Sequence, residues 1–272
     1  GLKEGFGFPK PLFLRKLLLM RVFFIGVCGT AMGNAAVLLK KLGHDVAGSD
    51  AGVYPPMSDV LTEAGIDLFE GFAESQMLDW KPDRIVVGNA VSRGNPQVER
   101  LLRTREIPFV SLPQLIGEDL IGDRPSLVVA GTHGKTTTTA ILTHLFQQSE
   151  ASFTAFVGGV FQDSKTNMLS SGSEYTLVEA DEFDRSFLNL NPTIACITSI
   201  DADHLDIYGK ADELEKSFIE FADKLSDKNK LFIKYGLPLK GITYGVNQAA
   251  DYSVFDVKIF NGIYCFKIKT NF

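Results

Sequence analysis

Cysteine is scarce in this chain of 272 residues: Cys28, Cys196 and Cys265 are all it has, an odd number at long spacings with no CxxC pair. That excludes a disulfide framework and a thiolate zinc site, and it fits a reducing, cytoplasmic compartment. Positive charge is also short. Asp+Glu number 33 against Lys+Arg 27, a net charge of −6. No nucleic-acid partner is expected, because such a surface needs a basic patch, and bound phosphates must be held by local features. Long apolar runs are missing too. The stretch PLFLRKLLLMRVFFIGV at 11–27 is interrupted by Arg15, Lys16 and Arg21. It falls short of the ~18 residues of a membrane span. It leads into a strand and a glycine loop, not into a small-residue cleavage site. No stable membrane insertion is expected, and residues 1–19 read as an extension with the natural start at Met20. There is no internal repeat, and no Ser/His/Asp or Cys/His arrangement that would point to covalent catalysis.

What is present is an ordinary packed-core composition, 45% hydrophobic and 22% charged, at a length that suits two domains. Strand and helix patterns alternate from residue 21. Arg21–Val27, His44–Ser49, Ile66–Phe69, Arg84–Val87 and Pro108–Ser111 read as strands. AAVLLKKLG ending at Gly43, and stretches near 58–64 and 95–104, read as helices. Alternation of this kind predicts an α/β fold with parallel sheets and right-handed crossovers. GEDLIGDRP at 117–125 is a linker candidate. After it Ser126–Ala130, Tyr175–Val178 and Thr193–Thr198 read as buried strands, and Thr137–Gln148 and Asp212–Lys224 as helices. The tail from Lys230 reads as short strands with turns at Gly236, Gly245 and Asn261-Gly262. The expected division is an extension at 1–19, a Rossmann-like domain at 20–122 and a P-loop-type α/β domain at 123–272.

Four motifs carry chemistry. Gly131-Thr132-His133-Gly134-Lys135-Thr136 lies between an apolar strand and a helix. A glycine turn there aims backbone N–H groups at phosphate oxygens, and the helix N-terminus adds partial positive charge. Lys135 would bridge β- and γ-phosphates and the Thr136 hydroxyl would ligate Mg²⁺. Val129 stands where the strict P-loop has glycine, so this is a shorter GTxGKT form; the plain alternative is a common strand–helix turn with a solvent-facing lysine. Glu179-Ala180-Asp181-Glu182 ends a buried strand, where hard carboxylate oxygens suit Mg²⁺; a solvated acidic turn is the alternative. Asp201, Asp203, His204 and Asp206 follow another buried strand, and a histidine among carboxylates can ligate a divalent ion or orient a carboxylate. Lastly, Gly26, Gly29 and Gly33 with Asp50 resemble a dinucleotide turn, with Cys28 and Ala31 where glycines would complete the fingerprint.

In this order the four elements resemble the Mur ligase family, over residues 22–272 and that family's first two domains. YPPMSDVL (54–61), GIDLFEGF (65–72) and VVGNAVSRGNPQVE (86–99) look like the branch that adds a whole tripeptide to UDP-N-acetylmuramate. VEADEFDRSFLNLNP (178–192), SIDADHLDIYG (199–209) and IKYGLPLK (233–240) look like the branch that adds L-alanine. The resemblance implies an ATP-dependent ligase of peptidoglycan synthesis that activates a carboxylate as an acyl phosphate, with ATP and Mg²⁺ as cofactors. It implies a UDP site at Gly26, Cys28, Gly29, Thr30, Ala31, Met32, Ser49 and Asp50, with Asn89, Arg93 and Asn95 near the acceptor pocket. It implies an ATP site at Gly131–Thr136 and Thr137, and a metal held by Thr136, Glu179 and His204. Lys135, Glu179 and His204 would be the catalytic set. The family's third, amine-binding domain is not in the sequence. Ser199 stands where the family often has Asn, which puts any adenine contact from that position in question. Rivals are a ligase of folate or cyanophycin type, which the 54–61 and 86–99 stretches oppose, a non-catalytic UDP-sugar-binding fragment, and a dehydrogenase, which the Lys135 loop opposes.

Overall fold

The run RVFFI packs apolar side chains on both faces, and it sits where that demands: Arg21–Ile25 (β1) is the central strand of a five-stranded sheet, with Val22 to Ile25 fully buried. The computed structural model describes residues 19–159, 161, 166–201 and 211–271, and these divide into two units. One unit comprises the described residues within Pro11–Leu120 and Gly158–Leu169; the other comprises those within Ile121–Val157 and Ser170–Phe272.

In the first unit β1 is followed by α1 (Thr30–Lys41), β2 (Asp45–Asp50), α2 (Met57–Glu63), β3 (Asp67–Glu70), α3 (Glu74–Trp80), β4 (Arg84–Val87), α4 (Pro96–Thr104) and β5 (Phe109–Ser111). The strand order is β3-β2-β1-β4-β5, all parallel. The order reverses between β1 and β4, and a doubly wound sheet binds ligands outside the carboxyl ends of strands at that switch point. Phe23, Ile25, Ala47, Met77, Ile85 and Leu101 form one buried cluster under the sheet. Truncating Phe23 there would cost about 3–5 kcal/mol. Helix α1 begins at Thr30, five residues earlier than its apolar pattern, because Gly29 adopts the extended conformation of a cap. Gly33, counted with the turn in the sequence, lies inside α1. A Cβ there would fall 2.4 Å from Met57 Sδ, so this glycine serves the close packing of α1 on α2.

The linker expected at 117–125 does contain the boundary between the two units, at Leu120/Ile121, but its first half is helical and not a loop. Leu112–Leu115 (α5) continues as a π-helical turn, Ile116–Ile121. Leu115, Leu120 and Ile121 are buried, and Arg84 pairs with Asp119 at 2.8 Å and also with Glu118, so the apparent loop acids have a partner.

Beyond Ile121 the order is β6 (Ser126–Ala130), α6 (Lys135–Gln147), β7 (Phe153–Phe156), β8 (Met168–Ser170, which straddles the division at Leu169/Ser170), β9 (Tyr175–Glu179), a 3₁₀ segment Phe183–Asn189, β10 (Ile194–Ile197), α7 (Ala211–Asp223), β11 (Leu231–Lys234), β12 (Ile242–Val246), β13 (Tyr252–Phe260) and β14 (Ile263–Thr270). The sheet runs β14-β13-β12-β11-β10-β6-β9-β7-β8. Strand β6 lies parallel between β9 and β10, which brings the carboxyl ends of three chemistry-bearing strands side by side. Gly245 is not a turn. It pairs with Ser253 inside the sheet, and the tight approach of Gln248 explains the missing side chain. The chain turns instead at Asn247, in the left-handed region. No helix among the described residues is long and apolar enough to cross a membrane.

Candidate active site

The turn after β6 closes on itself through a neighbouring strand end. Gly131 has φ +138°, and a Cβ on it would meet Thr198 Oγ1 at 2.2 Å and the Ser199 backbone nitrogen at 2.8 Å, so the turn needs glycine. Thr198 donates its hydroxyl to the His133 carbonyl at 2.6 Å. The His133 N–H donates to Ser199 Oγ at 2.8 Å, Thr132 Oγ1 lies 2.9 Å from the same oxygen, and the Asp201 N–H donates to Thr132 Oγ1 at 2.9 Å. Gly134, at φ +80°, opens α6, whose first N–H groups have no acceptor within the helix. The first turn of α6 therefore presents donors and a partial positive charge just after the bend.

Two side chains of that first turn reach the end of β9 and the residues just after it. Lys135 Nζ donates to the Gly131 carbonyl at 2.6 Å and to Glu182 Oε2 at 2.7 Å. The pair is largely out of water, with side-chain exposures of 15% and 4%. Thr136 donates its hydroxyl to Glu179 Oε1 at 2.6 Å. Adjacent oxygens around Mg²⁺ at 2.0–2.1 Å stand about 2.9 Å apart, so this hydroxyl and carboxylate are a suitable partial donor set for a cation that takes its other oxygens from phosphate and water. Among the described residues no group of three or more His, Cys, Asp or Glu is gathered to hold a metal alone. His204, with Asp203 and Asp206, lies outside the described residues. His133, Gly134, Thr136 and Thr137 are exposed on the turn and helix start; Gly131 and Thr132 are buried beneath.

The glycine turn of the first unit is built on the same plan with different fastenings. Gly26 has φ +86°, and the N–H groups of Gly26 and Val27 both donate to the Ser49 carbonyl, at 2.8 and 3.1 Å. Asp50 accepts from the Cys28 N–H at 2.8 Å and the Gly52 N–H at 3.2 Å. Burial and the Asp50 carboxylate push the Cys28 thiol up to about 11, so it is no nucleophile at neutral pH. Ser49 is fully buried and donates its hydroxyl to Gln97 at 2.6 Å, and Gln97 in turn holds the Ala73 carbonyl at 3.0 Å. Gly29, Thr30 and Ala31 are exposed at the start of α1, Met32 is buried beneath them, and Asn89 and Arg93 are exposed after β4, the strand next to β1. Asn95 is buried and accepts from the Val98 N–H at 3.1 Å as the N-cap of α4, which gives it a structural task.

A family model described as Mur ligase family, catalytic domain matches residues 21–121, and one described as Mur ligase middle domain matches residues 129–263. The chain belongs to the Mur ligase family. Among Mur ligases it is similar to a UDP-N-acetylmuramate–L-alanine ligase of Flavobacterium psychrophilum, 43% identical over 252 residues, covering 92% of this chain and 56% of that protein. It is similar also to a UDP-N-acetylmuramate–L-alanyl-gamma-D-glutamyl-meso-2,6-diaminoheptandioate ligase of Escherichia coli, 39% identical over 206 residues, covering 73% of this chain and 45% of that one. In fold it matches the crystal structure of a UDP-N-acetylmuramate:L-alanyl-gamma-D-glutamyl-meso-diaminopimelate ligase from Neisseria meningitides, with a TM-score of 0.79 and 26% identity, covering 93% of this chain and 85% of that one. The chain spans about half the length of the curated Mur ligases it matches. The α/β architecture expected from the sequence is thus the fold observed, with one departure: the first sheet is parallel, but the second is mixed, because β14 runs antiparallel to β13.

Sequence reasoning missed three residues of these sites. In the sequence Glu182 is one acid of three, Thr198 a strand end, and Ser199 a departure from the family. Their partners are 47, 65 and 66 residues away in the chain, and no local pattern signals such pairings.

Proposed function

We propose that the chain provides the UDP-substrate-binding and ATP-binding units of a cytoplasmic ligase of peptidoglycan synthesis, one that joins the carboxylate of UDP-N-acetylmuramate to L-alanine. The unit around β1 holds the UDP moiety and the unit around β6 holds ATP, in keeping with the two-domain division expected near residues 122–123. The observation that carries this reading is the turn at Gly131–Thr136, which places a part-buried lysine, a helix N-terminus and a hydroxyl–carboxylate pair around one strand end. High identity to an L-alanine ligase across both units supports the choice of amine.

In this reading the substrate carboxylate attacks the γ-phosphorus of ATP, ADP leaves, and the amine then displaces phosphate from the acyl carbon. Phosphoryl transfer of this kind asks the protein for positioning and charge. Lys135 holds a fixed positive charge at the turn. The N–H groups that open α6 orient phosphate oxygens. Thr136 and Glu179 would hold a divalent cation, with His204 as a further ligand; when bound, the cation neutralises charge on the transferred group. In the first unit the bend at Gly26 and the start of α1 hold the diphosphate, while Asn89 and Arg93 face the acceptor.

Calorimetry tests the reading. The chain should bind UDP-N-acetylmuramate and ATP separately, and Lys135→Ala should lose ATP while keeping UDP-N-acetylmuramate. Equal ATP affinity in that variant, or no binding of the UDP substrate, overturns it. A second reading, addition of a whole tripeptide, is favoured by the fold match and by the stretches at 54–61 and 86–99. Phosphate release stimulated by the tripeptide and not by L-alanine would select it.

A further inference from the structure

The ammonium that should greet a triphosphate already has a counter-ion. Lys135 Nζ lies 2.7 Å from a Glu182 carboxylate that is almost wholly out of water, and its second bond goes to the Gly131 carbonyl. Glu182 stands just past β9, and its backbone cannot drift far: the Arg185 N–H bonds to the Glu182 carbonyl at 3.0 Å, and the Phe187 N–H bonds to the Asp181 carbonyl at 3.0 Å. Phe187 itself is buried, stacked on Phe221 and edge-to-face with Phe218. The carboxylate is thus anchored by an aromatic core behind it. Glu179 and Asp181 add further acid on the same strand end.

A lysine neutralised in this way presents little net attraction to a bare polyphosphate, which would also meet the repulsion of Glu182 at close range. A polyphosphate that carries a divalent cation brings its own compensation. Resting on the ATP reading above, we propose that Glu182 is a positioning and specificity residue. It pins Lys135 over the turn and makes the site select the metal-loaded nucleotide over the free one. This differs from a ligand role, since Glu182 acts through Lys135, and from a merely structural tie, since its charge is what matters.

The test is calorimetric, with ATP titrated either in excess Mg²⁺ or in excess EDTA. The wild-type chain should bind ATP with Mg²⁺ far more tightly than without. Glu182→Gln keeps the hydrogen bond to Lys135 and removes the charge; its metal-free affinity should rise about tenfold while its Mg²⁺-loaded affinity changes less than about threefold, one charge at close range in a partly screened site. Glu182→Asp keeps the charge and should keep the wild-type preference for metal. Glu182→Ala removes the charge by another route and should show the same relief as Glu182→Gln, which protects the test if either variant folds poorly. Relief in neither neutral variant overturns the inference, as does equal relief in Glu182→Asp. If the wild-type chain binds no Mg²⁺-loaded ATP, the ATP reading itself fails; if it does and the preference is unmoved by the neutral variants, only the role of Glu182 fails.

Discussion

The two glycine turns of this chain share a frame and differ in what fastens them. Each follows an interior strand with parallel neighbours on both sides, each bends at a glycine of positive φ, and each opens a helix. The turn after β1 is held by a carboxylate, Asp50, accepting from its backbone, and its first helical turn holds no charged side chain. The turn after β6 is held by hydroxyls, Thr198 and Ser199, and its first helical residue is a lysine paired to a buried glutamate. One frame therefore makes two kinds of anion site. The first relies on backbone and helix terminus, and suits a diphosphate that stays intact. The second adds a fixed cation and hard oxygen donors, and suits a phosphate that is transferred.

That contrast can be broken first at the bends. Gly131→Ala should be the most damaging change, about 3 kcal/mol or more in a urea titration, because its Cβ would strike both a side chain and backbone while φ stays at +138°. Gly26→Ala, at φ +86° with Val91 Cγ2 as nearest neighbour at 3.2 Å, should cost only about 1–2 kcal/mol. Equal costs would mean the two bends are not differently packed.

Lys135→Ala comes next. It should cost about 2–4 kcal/mol of stability, because Glu182 is left buried without its cation, and about a hundredfold in ATP affinity. Binding of UDP-N-acetylmuramate should not move. Ser199→Ala and Asp50→Ala then form a matched pair at about 1–2 kcal/mol each. The first should weaken ATP alone and the second the UDP substrate alone, measured by the same calorimetry; crossed effects would dissolve the distinction between the turns.

The smallest effect lies outside both turns. His44 is buried, its Nδ1 accepts from the Met20 N–H at 3.2 Å, and its Nε2 has no hydrogen-bond partner among the described residues. Burial holds its imidazole below the ordinary value, against the opposing pull of Asp119. The unfolded chain therefore takes a proton first as pH falls through about 6.5, and the stability His44 contributes is present above that point and lost below it. Between pH 7.5 and 5.5 the wild-type urea midpoint should fall by more than that of His44→Gln, a difference of about 1 kcal/mol or less.

Much of this was legible because it is local. The apolar run at 21–25, the glycine before a helix and the Lys-Thr pair after it are contiguous signals, and each landed within a few residues of the observed element. What escaped was set by distant packing. The stretch 117–125 does hold the boundary between the units, but its helical turn, fastened by Arg84 of β4 through Glu118 and Asp119, depends on a partner over 30 residues away. Gly245 reads as a turn because a real one, at Asn247, comes two residues later, just past the end of β12. Asn95 also carries a local capping signature, Asn-Pro before a helix, and it caps α4. The short α3 and β7 have too few residues to declare a period.

The central claim is that a triphosphate nests in the turn around Lys135, with its cation between Thr136 and Glu179. A crystal structure of the chain with a non-hydrolysable ATP analogue and Mn²⁺ tests it most directly. The account predicts the γ-phosphate within hydrogen-bonding distance of Lys135 Nζ and an anomalous Mn²⁺ peak that touches the Thr136 hydroxyl and a Glu179 oxygen. A nucleotide bound elsewhere, with Lys135 still closed on Glu182 and no metal at Thr136, would contradict it.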